Sequence, residues 1–158
     1  MTFGIIPFLA SSINGASFGS LLFVGAVDVR TLLVLTSTRL PENEVLLRKF
    51  FSLWWPYGRD LMLPVGVMGL FFNIKAYFSM KENNNRWYWL IPSVMHTSIV
   101  LWTGLVMGGT IKTLLNGETH NFSSEVRKFC YLHFPRVLFA GVGYAFSTFA
   151  LMSDNDSK

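Results

Sequence analysis

The stretch WYWLIPSVMHTSIVLWTGLVMGGTI, residues 87–111, decides the fold. It contains no Asp, Glu, Lys or Arg, and its one deep interruption is His96, about ten residues inside. A helix needs ~20 largely apolar residues to cross the hydrocarbon of a bilayer. This stretch has that length and character, with Trp87, Tyr88 and Trp89 placed where an interfacial aromatic belt belongs. Similar runs lie on either side of it. Residues 3–27 form a first span with no charge inside, and 61–80 a second, interrupted by Asn73 and Lys75. Residues 134–152 form a fourth. The expectation is a single all-α integral membrane domain over 1–158, a four-transmembrane-helix bundle with its first, second and fourth helices free to extend past the bilayer.

Composition supports lipid as the solvent. Hydrophobic residues make up 51% of the 158, charged residues 14% and aromatic residues 16%. A soluble domain needs roughly a quarter of its residues charged to cover its surface, and so short a chain cannot hide that apolar excess in a core. The balance is basic, +4 at pH 7, but Lys and Arg occur as ones and twos between apolar runs. Nucleic-acid binding gathers basic residues on one face or tail, so no nucleic acid is expected as partner. The lone cysteine, Cys130, excludes an internal disulfide.

The connections give a topology. Pro41-Glu42-Asn43-Glu44 reads as a helix start, and Lys81 to Arg86 as a short polar turn that makes the second and third spans antiparallel neighbours. Asn116-Gly117-Glu118 carries a helix C-cap signal. Trp54, Trp55 and Tyr57 form a second candidate interfacial belt. The first and third connections share one side of the membrane, with Arg39, Arg48, Lys49, Arg59, Lys112, Arg127, Lys128 and Arg136. The other side has Lys75, Lys81, Arg86 and Lys158. The excess places the segments 39–60 and 112–136 in the cytosol and both termini outside or in a lumen. The sequon Asn121-Phe122-Ser123 then faces the cytosol and stays bare. No basic residue precedes the first apolar run, so that span is expected to be retained as an anchor rather than cleaved.

Polar groups inside membrane helices normally face the bundle interior, and here their spacing places them on seams. Asn14, Leu21 and Asp28 are seven apart on the first span; so are Arg59, Gly66 and Asn73 on the second, and His96, Thr103 and Thr110 on the third. His133, Arg136, Ala140, Gly143 and Ser147 form a stripe on the fourth. Four seams meeting would line a polar pocket. Such seams also simply bind helices together by hydrogen bonds, with Gly15 and Gly19 as ordinary close-packing residues. Arg59 and Arg136, near span ends, can equally snorkel to the interface. His96 lies too deep for that, and a histidine there is a functional-site candidate.

Other chemistries are weakly signalled. The histidines His96, His120 and His133 make no His-x-x-x-His or Glu-x-x-His pair, and Cys130, His133 and Glu125 do not form a closed metal set. There is no Gly-rich nucleotide or flavin loop and no hydrolase triad signature.

Four motifs follow one another along the chain: Phe18-Gly19-x5-Gly25-Ala26, then Phe51-x2-Trp54-x2-Tyr57-Gly58-x5-Pro64. Met95-His96-x4-Leu101-Trp102-Thr103 and Glu125-Val126-x6-His133-x2-Arg136 complete the order. Over roughly Ser17 to Met152 this order resembles the anthrone oxygenase family, small four-helix membrane proteins of fungal polyketide pathways. Each motif is degenerate, and the match rests on order and spacing. The resemblance implies a monooxygenase of secondary metabolism that uses O2 as co-substrate and needs no metal, flavin or other cofactor. Its substrate would be an aromatic polyketide, an anthrone oxidised to an anthraquinone. In that scheme His96 or His133 is the base, since imidazole titrates near neutrality. Arg136 stabilises the substrate oxyanion, and Trp54, Trp55, Tyr57 and Trp102 stack on the flat rings. The rival reading is a non-catalytic accessory subunit of a larger membrane complex; a transporter is disfavoured by the lack of inverted repeats.

Overall fold

The computed structural model describes residues 4–37, 41–80, 84–117 and 121–155. Almost all of these are helical, with no strand among them. Four helical runs are long and apolar enough to cross a membrane: Ile5–Ser37, Glu42–Ser79, Asn85–Asn116 and Phe122–Ser153. The first helix packs against the second and fourth, and the third against the same two, while first and third make no comparable contact. The result is an up-down-up-down bundle, the topology that short connections favour.

Several local features follow from the sequence. The second helix opens on Pro41, with Glu42 and Glu44 in its first turn, where carboxylates complement the helix dipole. The third ends at Gly117, whose φ of 68° permits the left-handed cap; its N–H donates to the Thr113 carbonyl at 3.1 Å. Asn121 Oδ1 accepts from the Ser124 N–H at 3.1 Å and caps the fourth helix.

The helices are longer than the apolar runs. At 1.5 Å per residue, 32 to 38 residues span about 48–57 Å, against ~30 Å of hydrocarbon. The surplus lies at the end where the first helix meets the second and the third meets the fourth. Residues 41–60 and 122–136, beyond the apolar runs, are helical: the second helix begins at Pro41, where the sequence signals a start, and the second and fourth both extend past the bilayer. Arg30, not counted above, joins Arg48, Lys49, Arg59, Lys112, Arg127 and Lys128 at this end. Phe3, Arg39, Lys81, His120 and Lys158 lie outside the described residues.

The two ends are held by different forces. At the charged end Val29, Leu32, Leu47, Phe51, Ile111 and Phe129 belong to one buried apolar cluster. Phe51 and Phe129 meet edge to face with centroids 5.1 Å apart, and Trp55 meets Phe129 likewise at 5.5 Å. Arg127 Nη2 donates to the Thr36 carbonyl at 2.7 Å and Arg48 Nη1 to the Gly117 carbonyl at 2.8 Å, tying both hairpins together. Water exclusion drives such a core. Lipid gives no such drive between helices, and in the middle of the bundle Ser11, Asn14, Ser17, Asn73, Ser93, His96 and Ser147 are buried, while a second, smaller apolar cluster of Ala10, Ala76, Trp89 and Ala150 closes the other end. Large apolar side chains such as Leu63, Val67, Leu105 and Leu138 point outward, as a lipid-facing surface requires.

Candidate functional site

The seams meet. Asn14 Nδ2 donates to Asn73 Oδ1 at 2.9 Å and Asn73 Nδ2 donates to Asn14 Oδ1 at 3.0 Å, closing a reciprocal pair between the first and second helices. Asn14 Oδ1 also accepts from His96 Nε2 of the third helix at 2.8 Å. An amide oxygen has two lone pairs, and both are used. The neutral imidazole is therefore fixed as the Nε2–H tautomer, and its Nδ1 keeps a lone pair with no partner among the described residues. All three side chains are buried.

Gly69 makes this possible. A Cβ there would stand 2.6 Å from His96 Nε2 and 2.8 Å from Cε1, so the imidazole lies flat against the second helix only because position 69 has no side chain. The seven-residue reading passed over Gly69 in favour of Gly66. The available signal was its place four residues before Asn73, on the same helical face.

His133 and Arg136 lie on the buried face of the fourth helix, on either side of Pro135. His133 Nε2 donates to the Leu21 carbonyl at 3.1 Å, and its Nδ1 is buried without a partner. Just beyond Leu21 the first helix widens into a π-turn over Val24–Val29, where Gly25 packs beside the imidazole; a Cβ there would make ordinary contact with His133 Cδ2 at 3.6 Å. The third helix has its own π-turn over Trp102–Met107, at the level of the same site. Such insertions are frequent at functional sites because they re-aim the residues around them.

Arg136 is 8% exposed and has no carboxylate or hydrogen-bond partner among the described residues; its Nε is wholly buried and unsatisfied. Its guanidinium carbon lies 6.0 Å from the Trp55 ring centroid, a cation–π contact at the limit of range. Arg59, exposed and paired with Asp60 at 2.7 Å, stands nearby. A buried guanidinium normally has an anion beside it, because an unpaired charge out of water is costly.

These groups surround a cavity of about 260 Å³ lined by Ser17, Trp55, Arg59, His96, Thr103 and Arg136 among others. Ligand sites start at ~300 Å³, so at about 260 Å³ this cavity is a small one. His133 does not line it. It lines an adjoining space of about 40 Å³ whose walls share Leu21, Trp55, Arg59, Met62 and Arg136 with the larger one. Arg136 joins the two histidines' surroundings.

The expected stacking residues divide. Trp55 lines the cavity. Trp54 reaches the smaller space, and its indole N–H donates to Asp28 Oδ2 at 2.8 Å. Tyr57 does not take part: it is 76% exposed, in an outward groove with Phe50, Leu53 and Leu61. Two residues on a helix are about 200° apart, so Tyr57 cannot share the inward face of Trp55. Trp102 is also outside the cavity. Its N–H donates to the Leu132 carbonyl at 2.9 Å and its ring meets Phe139 edge to face at 6.3 Å, a packing role between the third and fourth helices.

Among the described residues no three His, Cys, Asp or Glu side chains converge as a metal set. Compared with protein-family models, with curated proteins and with solved structures, the chain matches none. The site must be read from its own chemistry.

Proposed function

We propose that this protein is a membrane-embedded oxygenase that uses O2 without a cofactor to convert an anthrone to an anthraquinone. One observation carries the reading: a histidine of fixed tautomer and a buried, unpaired guanidinium border the same small cavity. The order of motifs resembling the anthrone oxygenase family points the same way.

The chemistry asks little of the protein. His96 Nδ1 removes a proton from the acidic methylene opposite the substrate's ketone, and the resulting anthrolate oxygen sits against Arg136. The electron-rich anthrolate passes one electron to O2, and the radical pair combines to form a carbon–oxygen bond. The imidazolium returns its proton to the peroxide, and the neutral ring then takes the remaining hydrogen of the same carbon as a proton. The C–H electron pair forms the second carbonyl, and the O–O bond breaks to release hydroxide, which leaves with that proton as water. One anthrone and one O2 thus yield one quinone and one water. Trp55 supplies a flat apolar wall, and burial keeps bulk water from the anion. His133, held by the Leu21 carbonyl, lines the adjoining space together with Arg136.

The alternative, a non-catalytic accessory subunit, draws on the outward groove of about 420 Å³ along Phe50, Trp54 and Tyr57. Purified protein given emodin anthrone under O2 separates the two: quinone absorbance should rise far faster than in boiled controls, and a rate equal to them favours the accessory subunit. The basic excess at the charged end supports placing that end in the cytosol and both termini outside or in a lumen. Protease removal of terminal tags from sealed vesicles checks this orientation.

A further inference from the structure

The cavity has its mouth in an unusual place for an enzyme. Its rim includes Leu63 of the second helix and Val100 of the third, 55% and 52% exposed, and both lie within lipid-depth apolar runs. Between them stand Gly66 and Gly104, which also line the cavity, and a Cβ built on either would meet nothing within 4 Å. The gap between these helices is therefore open because two side chains are missing, and it opens onto acyl chains.

The interior is graded in the same direction as a bilayer. Taking Trp87 as one interface, Val100 and Gly104 lie roughly 20–25 Å along the third helix, so the rim approaches the opposite interface. There the exposed Arg59–Asp60 pair marks the water boundary and Arg136 waits beside Trp55. The wall towards His96 sets the apolar side chains of Leu63, Ile99 and Val100 around the polar points Ser17, His96 and Thr103. An amphiphile dissolved in that leaflet would find its charged oxygen already level with Arg136 and its body level with the apolar wall.

We infer that the site is loaded sideways from the bilayer through the gap between the second and third helices, with Gly66 and Gly104 setting the width of the portal. The ligand class is a flat apolar molecule bearing one oxygen group that is anionic beside Arg136, either ionised on arrival or made so there by loss of a proton to His96, and Arg136 selects it. The portal does not depend on the oxygenase reading; it deepens that reading by naming the route and the residues that choose the shape of what enters.

The test is binding rather than turnover. Protein in lipid nanodiscs is titrated with 2-anthracenecarboxylate and with neutral 2-methylanthracene, reading energy transfer from tryptophan. The carboxylate should bind at least about tenfold more tightly, and Arg136→Gln should erase that preference, as loss of one partner of a buried charge pair does. Gly104→Leu and Gly66→Leu fill open space, so melting temperature should hold while carboxylate binding falls at least about tenfold. Should either leucine variant fail to fold, Val100→Trp at the exposed rim narrows the same gap. Unchanged binding in the folded rim variants overturns the portal, and equal affinity for the two probes in the unaltered protein overturns the selection by Arg136. Binding as expected with no oxidation of emodin anthrone keeps the portal and removes the oxygenase; turnover intact in the leucine variants does the reverse.

Discussion

Gly69→Ala offers the sharpest perturbation of the site, because it adds a single methyl group at a position where the geometry is tight. The new Cβ would stand 2.6 Å from His96 Nε2, where ordinary contact is ~3.5 Å or more. The imidazole must move by roughly 1 Å, since the glycine is backbone on a packed helix and cannot yield. That movement breaks the 2.8 Å bond to Asn14, worth about 0.6–1.7 kcal/mol between membrane helices, and frees the tautomer. Helix propensity favours alanine by ~1 kcal/mol, which offsets much of the loss. Stability should thus change little while position changes a great deal. Misplacing a catalytic group by ~1 Å can cost 10²-fold in rate. Anthrone turnover is therefore expected to fall about a hundredfold with the melting temperature nearly unchanged. Gly109→Ala, on the third helix with nothing within 4 Å, should leave both unaltered. Full turnover in a folded Gly69→Ala protein would refute the claim that His96, held in this position, is the base.

Further outcomes follow from the same geometry. His96→Ala should lose 10²–10⁴-fold in rate, the usual worth of a positioned base, and His133→Ala less, because His133 lies outside the main cavity; steady-state kinetics rank them. In the unaltered protein the rate should rise with pH across an imidazole titration, since only the neutral ring accepts a proton, and a flat profile would count against histidine. Arg136→Lys should slow turnover, because a compact ammonium cannot reproduce the guanidinium fork; a rate equal to wild type would remove the oxyanion role. Phe129→Ala should destabilise the charged end by ~3–5 kcal/mol, read in a thermal melt, because its ring meets Phe51, Trp54 and Trp55 in a core built by water exclusion.

Hydropathy made the four spans legible, and the spacing of polar residues put Asn14, Asn73 and His96 on inward faces where the structure joins them. Hydropathy alone does not give the helical lengths; the start signal at Pro41 does, and it falls where the second helix begins. Between 41 and 60 the chain leaves lipid, charges become tolerable, and an apolar window stops although the helix does not. Register slipped in the first helix, whereas the seam His96, Thr103 and Thr110 stays inward across the third helix's π-turn. A π-turn over Val24–Val29 adds a residue, so the seam that begins at Asn14 and Leu21 continues at buried Val29 rather than at Asp28. Asp28 instead accepts the Trp54 indole. The aromatic residues were grouped by proximity in sequence, and helical geometry then separated Trp55 from Tyr57 by half a turn. Gly69 was hidden because its role is the space it leaves, which only the position of His96 reveals.

Oxidation of emodin anthrone under ¹⁸O₂, by chelator-treated protein free of flavin, tests the central claim most directly. The account predicts one ¹⁸O atom in each quinone, one O2 consumed per quinone, and loss of this activity in His96→Ala. Quinone formed no faster than with boiled protein, or activity that returns only on adding one metal, would contradict it.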